Sequence, residues 1–268
     1  MSGGIVNIYS TLLRTDLAVM LQYRVAVIIW LLGLVLQPVI FLVVWLTVAE
    51  SRGGLVGDFD KSALAAYYIV LMLVNHLTFD WHMFEMGWRV RSGAFSPILL
   101  QPLHPIHRDI SNNIAYKVIT LLVVAPATAF LIWYFEPSFG GAPWTAVAFV
   151  PAVILAFLVR FMVEWTVALL AFWVTDTSGL NQLYQVPLTL LSGMVAPLAL
   201  MPEWIRIIGD VLPYRWMIAF PVELLLGRLS VAEAISGFTA QIIWLLIALT
   251  ILKMTWQRAS KRYSAVGA

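Results

Sequence analysis

The sequence has no cysteine and little charge. Without cysteine there is no disulfide, no thiolate metal ligand and no cysteine nucleophile. Lys, Arg, Asp and Glu make up 11% of the 268 residues, against about 25% in an ordinary soluble domain. Apolar residues reach 62%, and the mean hydropathy is +0.90. So few charges cannot build a water-facing surface, so lipid must be the solvent. A net charge of +2 is far too small for a nucleic-acid binder, so no nucleic-acid partner is expected. Neither GxxxxGK[ST], GxSxG nor HExxH occurs, so no phosphate-cradling loop, catalytic site or metal site is expected in this chain. No tract alternates in polarity as a membrane barrel requires. Internal repeats and low-complexity linkers are also missing, which points to one domain over 1–268.

What is present is a set of long apolar runs. A helix needs about 20 apolar residues to cross a bilayer, and six stretches qualify: 25–48, 63–86, 114–135, 144–172, a shorter 183–200, and 238–256. Before them Ile5, Ile8, Tyr9, Leu12, Leu13, Leu17, Met20 and Leu21 recur at helical spacing opposite a polar face. That pattern predicts a helix lying in the membrane surface rather than a cleaved signal. With a cytoplasmic N-terminus, the inner segments hold Arg14, Arg24, Arg89, Arg91, Arg108, Lys117, Lys253, Arg258, Lys261 and Arg262. The outer segments hold only Arg52, Lys61, Arg206, Arg215 and Arg228 among many acids. The excess of positive charge therefore places both termini in the cytoplasm. Outside, Pro202, Pro213 and Pro221 divide 201–237 into short amphipathic pieces, 203–212 and 214–228, read as re-entrant or interfacial helices.

Polar groups within the runs are costly in lipid and so turn toward protein or water. Asn75, Thr78, His82, Glu85 and Arg89 recur along one face of the second run. Gln182, Gln185, Thr189 and Ser192 do so in the fifth. Each stripe reads either as contact between helices or as a path for a partly polar substrate. Arg160 and Glu164 lie one turn apart in the fourth run and should neutralise each other. His76 and Asp80 suit a hydrogen-bonded pair, and His104 and His107 a solvated loop. Between the second and third runs, Phe95, Ile98, Leu99, Leu100 and Leu103 form an apolar patch flanked by Arg91, His104, His107 and Arg108. It has no obvious partner within the membrane and reads as a docking surface or, alternatively, as a loop tucked under the bundle.

Two stretches carry a resemblance. Residues 91–106, RSGAFSPILLQPLHPI, and 191–229, which begins LSGMVAPLALMPEWIRIIGDVLP and runs to ELLLGRLS, resemble the membrane subunits of ABC-2-type exporters. The match is to small members without soluble insertions. The resemblance implies an all-α, six-span permease in a bacterial inner membrane, acting as a homodimer or beside a sister permease. A separate ABC ATPase subunit would bind ATP and Mg, and this chain would hold no cofactor. Docking of that subunit would fall on Arg91, Phe95, Ile98, Leu99, Leu100, Leu103 and Arg108. The substrate would pass along Asn75, Thr78, Gln185, Thr189 and Ser192. A path lined by amides and apolar groups is compatible with lipids, amphipathic drugs, peptides or glycans. An ion-coupled secondary transporter and a membrane-embedded enzyme are the alternatives, with only Arg160, Glu164, His76 and Asp80 to serve either.

Overall fold

In lipid every backbone polar group must find a partner inside the protein, and helices meet that demand locally. The computed structural model describes residues 4–263. The ends of the 1–268 domain, and the side chain of Arg24 counted among the inner charges, lie outside the described residues. Twelve α-helices follow in chain order among those residues. The first six are α1 (Ile5–Gln22), α2 (Arg24–Ser51), α3 (Lys61–Thr78), α4 (His82–Arg91), α5 (Ser96–Leu99) and α6 (Pro105–Phe135). Then come α7 (Pro143–Ala168), α8 (Ser178–Leu191), α9 (Glu203–Val211), α10 (Pro213–Met217), α11 (Ala219–Leu225) and α12 (Val231–Arg262). Five stretches are long and apolar enough to cross a membrane: Leu31–Ser51, Lys61–Arg91, Pro105–Phe135, Pro143–Phe172 and Val231–Arg262. The chain is a multi-pass helical membrane protein.

The centre of the bundle is α3, which is buried along nearly its whole length, with α2, α6, α7 and α11 packed around it. The other membrane-length helices each keep an apolar face outward, as lipid solvent permits. Helix α1 packs beside the start of α6 through Leu13, Leu17 and Met20 against Ala115, Tyr116 and Ile119. Asp16 accepts hydrogen bonds from Ser111 and Asn112, and the Tyr9 hydroxyl lies 2.8 Å from His107 Nδ1.

Four expectations need correction. The fifth apolar run is not one helix over 183–200. Helix α8 ends at Leu191, Gly193 turns the chain at φ 85°, and only a short 3-10 turn (Leu198–Leu200) follows. A side chain at Gly193 would overlap the Tyr67 hydroxyl. The irregular stretch survives because aromatic donors satisfy it: Tyr67 donates to Gly193 O, and Trp45 and Tyr68 both donate to Val195 O, each at 2.8 Å. The second run breaks at 79–81, between α3 and α4. The outer piece expected over 214–228 is interrupted at Ile218 into α10 and α11. The last span begins at Val231, not 238, because Ser230 and Glu233 form a reciprocal cap there. The helical architecture carries one small addition between α2 and α3. Strands β1 (Leu55–Val56) and β2 (Phe59–Asp60) pair antiparallel around Gly57 and Asp58, with Gly57 at φ 58°, a two-residue turn that needs positive φ.

The cap formed by α9, α10 and α11 is fastened to α12 at a glycine. At Gly237 a methyl group would overlap the Phe220 ring, which Trp216 and Phe238 hold on either side. Gly237→Ala should therefore lower stability by about 1–3 kcal/mol through overpacking, read as a lower melting temperature in detergent. Combining it with Phe220→Leu should recover part of the loss.

Candidate functional site

The break at 79–81 contains no proline or glycine. It exposes the Phe79 carbonyl and the Asp80 carboxylate in the middle of a membrane-length segment, and α6 supplies their partners. Lys117 Nζ donates to Phe79 O at 2.8 Å, and Asn113 Nδ2 donates to Phe79 O at 3.2 Å and to Asp80 Oδ1 at 2.9 Å. Lys117 also donates to the Asn113 side chain. His82 sits between two carboxylates, with Nδ1 2.5 Å from Asp80 Oδ1 and Nε2 3.5 Å from Asp109 Oδ1. Asp109 accepts from Arg89 and from the Trp165 indole at 2.8 and 2.9 Å, and Arg89 reaches Glu85 at 2.8 Å.

A second node lies on α7. Arg160 Nε donates to Glu164 Oε1 at 2.8 Å, and its NH1 donates to Asn75 Oδ1 at 2.9 Å and Thr78 Oγ1 at 3.0 Å. Arg160 and Glu164 are almost completely buried. The expected pairing is present, but the guanidinium also ties α7 to the end of α3. Together the two nodes hold four carboxyl groups (Asp80, Glu85, Asp109, Glu164), three basic side chains (Arg89, Lys117, Arg160) and one imidazole. Sequence reasoning missed Asp109, Asn113 and Lys117; their spacing of four along one face of α6 was the signal available.

The predicted docking segment 91–108 divides in two. Phe95 is fully buried against Phe172, Trp256 and Tyr263. Ile98 and Leu99 rest partly on the same core. Leu100 is 87% exposed, and Arg91, Pro97, Pro102 and Arg108 are exposed beside it. Leu103 is half-buried. So Phe95 anchors the loop and Leu100 forms its tip. His104 caps α6, with Nδ1 accepting from Ile106 N, and lies 4.4 Å from the Trp256 ring. Burial and the neighbouring His107 push its imidazole below the usual range. No metal-holding cluster occurs among the described residues, and His76 meets Thr120 at 3.2 Å rather than Asp80.

A family model described as "ABC-2 family transporter protein" matches residues 34–267. The chain belongs to the ABC-2 transporter family. No curated protein matches it.

Within this ABC-2 permease the two predicted polar stripes differ in character. Asn75 and Thr78 are buried and engaged by Arg160. Gln185 and Thr189 lie on a half-exposed side of α8, whose buried side carries Asn181, Tyr184, Leu188 and Leu191. Gln185 borders a cleft of about 410 Å³ together with Arg91, Asp176 and Asn181. Ser192 is fully buried, and its hydroxyl has no hydrogen-bond partner among the described residues. The helix break also means that Asn75, Thr78, His82, Glu85 and Arg89 do not share one continuous helical face.

Breaking the Arg160 node should cost about 3–5 kcal/mol. Arg160→Gln should cost more than Glu164→Gln, because it also strands Asn75 and Thr78. The double variant should recover part of the loss in thermal unfolding in detergent; strict additivity would mean that the pair is uncoupled.

Proposed function

We propose that this chain is the permease subunit of an ATP-driven exporter in a bacterial inner membrane, working with a second permease, identical or sister, and a separate ABC ATPase. The family match over 34–267 carries this reading. Membership in the ABC-2 family implies association with an ABC ATPase, which would bring the ATP and Mg, so the absence of a phosphate-binding motif here is expected. In this reading both termini and the 91–108 segment face the cytoplasm, while the α9–α11 cap closes the outer end. Helix α8, about 21 Å long at 1.5 Å per residue, and the aromatic-bound leg 192–197 together form the sixth crossing. The half-exposed Gln185 and Thr189 side of α8 meets the second permease and lines the path between them.

The fold also suggests how coupling runs. Phe95 pins the loop to α12 through Trp256 and Tyr263, and α4 carries the same loop to the break at 79–81. A push on Leu100 and its basic flanks therefore reaches the charged node through one short helix. Rigid-body rocking of α4 about that break is a hinge of the kind used in transport switches.

One observation favours the ion-coupled alternative. The break at 79–81, beside buried Asp80, His82 and Lys117, resembles the discontinuous helices of secondary transporters. Co-purification separates the two readings. A tagged chain expressed with its genomic neighbours should bring down an ATPase. Leu100→Glu should release that ATPase and abolish substrate-stimulated hydrolysis, while the permease still inserts. Transport driven by an ion gradient without any ATPase would refute the proposal.

A further inference from the structure

At the end of the bundle opposite segment 91–108, α9, the β1–β2 ribbon and the start of α12 border an open cleft of about 480 Å³. The two sites are separated by the length of α12, about 48 Å for 32 residues. The cleft's charges are mixed, and they do not cancel internally. Arg215 is committed to Asp210 and Glu223. Arg206 and Arg228 make no ion pair among the described residues, and the Arg228 guanidinium lies 3.6 Å from the centre of the Phe59 ring. Glu203, Asp58 and Glu233 also lack a cationic partner, Glu233 serving instead to cap α12 at Ser230. Two guanidiniums and three carboxylates without an ion pair among the described residues, all of them exposed, thus line one open cleft, which suits a ligand carrying both signs of charge.

A second cavity, of about 530 Å³, meets the first at Asp210, Arg215, Leu229 and Glu233. From there it runs along α12 past Ser236, Thr239, Ala240 and Ile243, with Trp216 and Phe220 as its other wall. Those α12 positions follow the i, i+3, i+4, i+7 spacing of a single face. The face descends about 15 Å from Glu233 to Ile243, into the depth of a membrane-crossing helix. A soluble zwitterion would have no use for this groove, and an apolar molecule would have none for the charged cleft.

We propose that the paired cavities hold one zwitterionic phospholipid with a primary ammonium head, of the phosphatidylethanolamine class. Arg206 and Arg228 bind its phosphate, Glu203 and Glu233 accept from its ammonium, and an acyl chain lies in the α12 groove. A quaternary ammonium fits less well. It needs open aromatic faces, whereas Arg228 already covers Phe59. The inference rests on membrane insertion alone and stands or falls separately from the export reading.

Native mass spectrometry of the purified chain in detergent, titrated with phosphatidylethanolamine, phosphatidylglycerol or soluble glycerophosphoethanolamine, tests it. Phosphatidylethanolamine should be retained about tenfold more tightly than phosphatidylglycerol, which lacks the ammonium. Arg206→Gln with Arg228→Gln should weaken both lipids, and Glu203→Gln should narrow the difference between them. Ala240→Trp should fill the groove and weaken the lipids while leaving the soluble head unaffected. Circular dichroism and gel filtration should show each variant folded, and Glu203→Gln, at an exposed position, keeps the test available if a groove variant fails to fold. Equal retention of the two lipids by the unaltered chain would overturn the proposal. So would a soluble head that binds as tightly as the lipid, or variants without effect.

Discussion

A carbonyl freed by a helix break at membrane depth must be satisfied by the protein itself. At 79–81 that requirement organises the bundle. Lys117 and Asn113 answer the Phe79 carbonyl, and Asn113 also holds Asp80. Asp80 then fixes His82, which brings in Asp109, and Asp109 draws Arg89 and Trp165 together. The chain of partners joins α3, α4, α6 and α7, and the Arg160 node closes it from the α7 side. Most links cover a group that would otherwise be stranded, while Asp80 Oδ2, His82 Nε2 and Glu164 Oε2 find no hydrogen-bond partner among the described residues.

The same constraint recurs where α8 ends. The leg 192–197 is irregular, yet Trp45, Tyr67 and Tyr68 reach its carbonyls. Two interrupted segments, with carbonyls held by side chains from neighbouring helices, thus cross the bundle without exposing those groups to lipid. One lies beside the loop end and the other beside the α9–α11 cap.

Much of this was legible in the sequence. The apolar runs, the amphipathic first helix and the Arg160–Glu164 pairing follow from hydropathy and spacing alone, because lipid enforces them. The breaks were not legible. No proline or glycine marks 79–81; the interruption is stabilised by Asn113 and Lys117, more than thirty residues downstream. Gly193 was visible, but its turn depends on Tyr67 fitting where a side chain would otherwise be. The apolar character of residues 95–103 was visible, yet spacing could not show that Phe95 faces inward and Leu100 outward. Such assignments are set by tertiary partners rather than by local pattern.

The central claim is that an internally satisfied break between α3 and α4 holds the two halves of the second span in place. Hydrogen–deuterium exchange across 76–84 in a Lys117→Met protein tests it most directly, since the variant keeps the side-chain length and removes the donor. The account predicts that amides around the break exchange about 10- to 100-fold faster, while those in the middle of α12 remain unchanged. Unaltered protection at 76–84 in a folded Lys117→Met protein would contradict it.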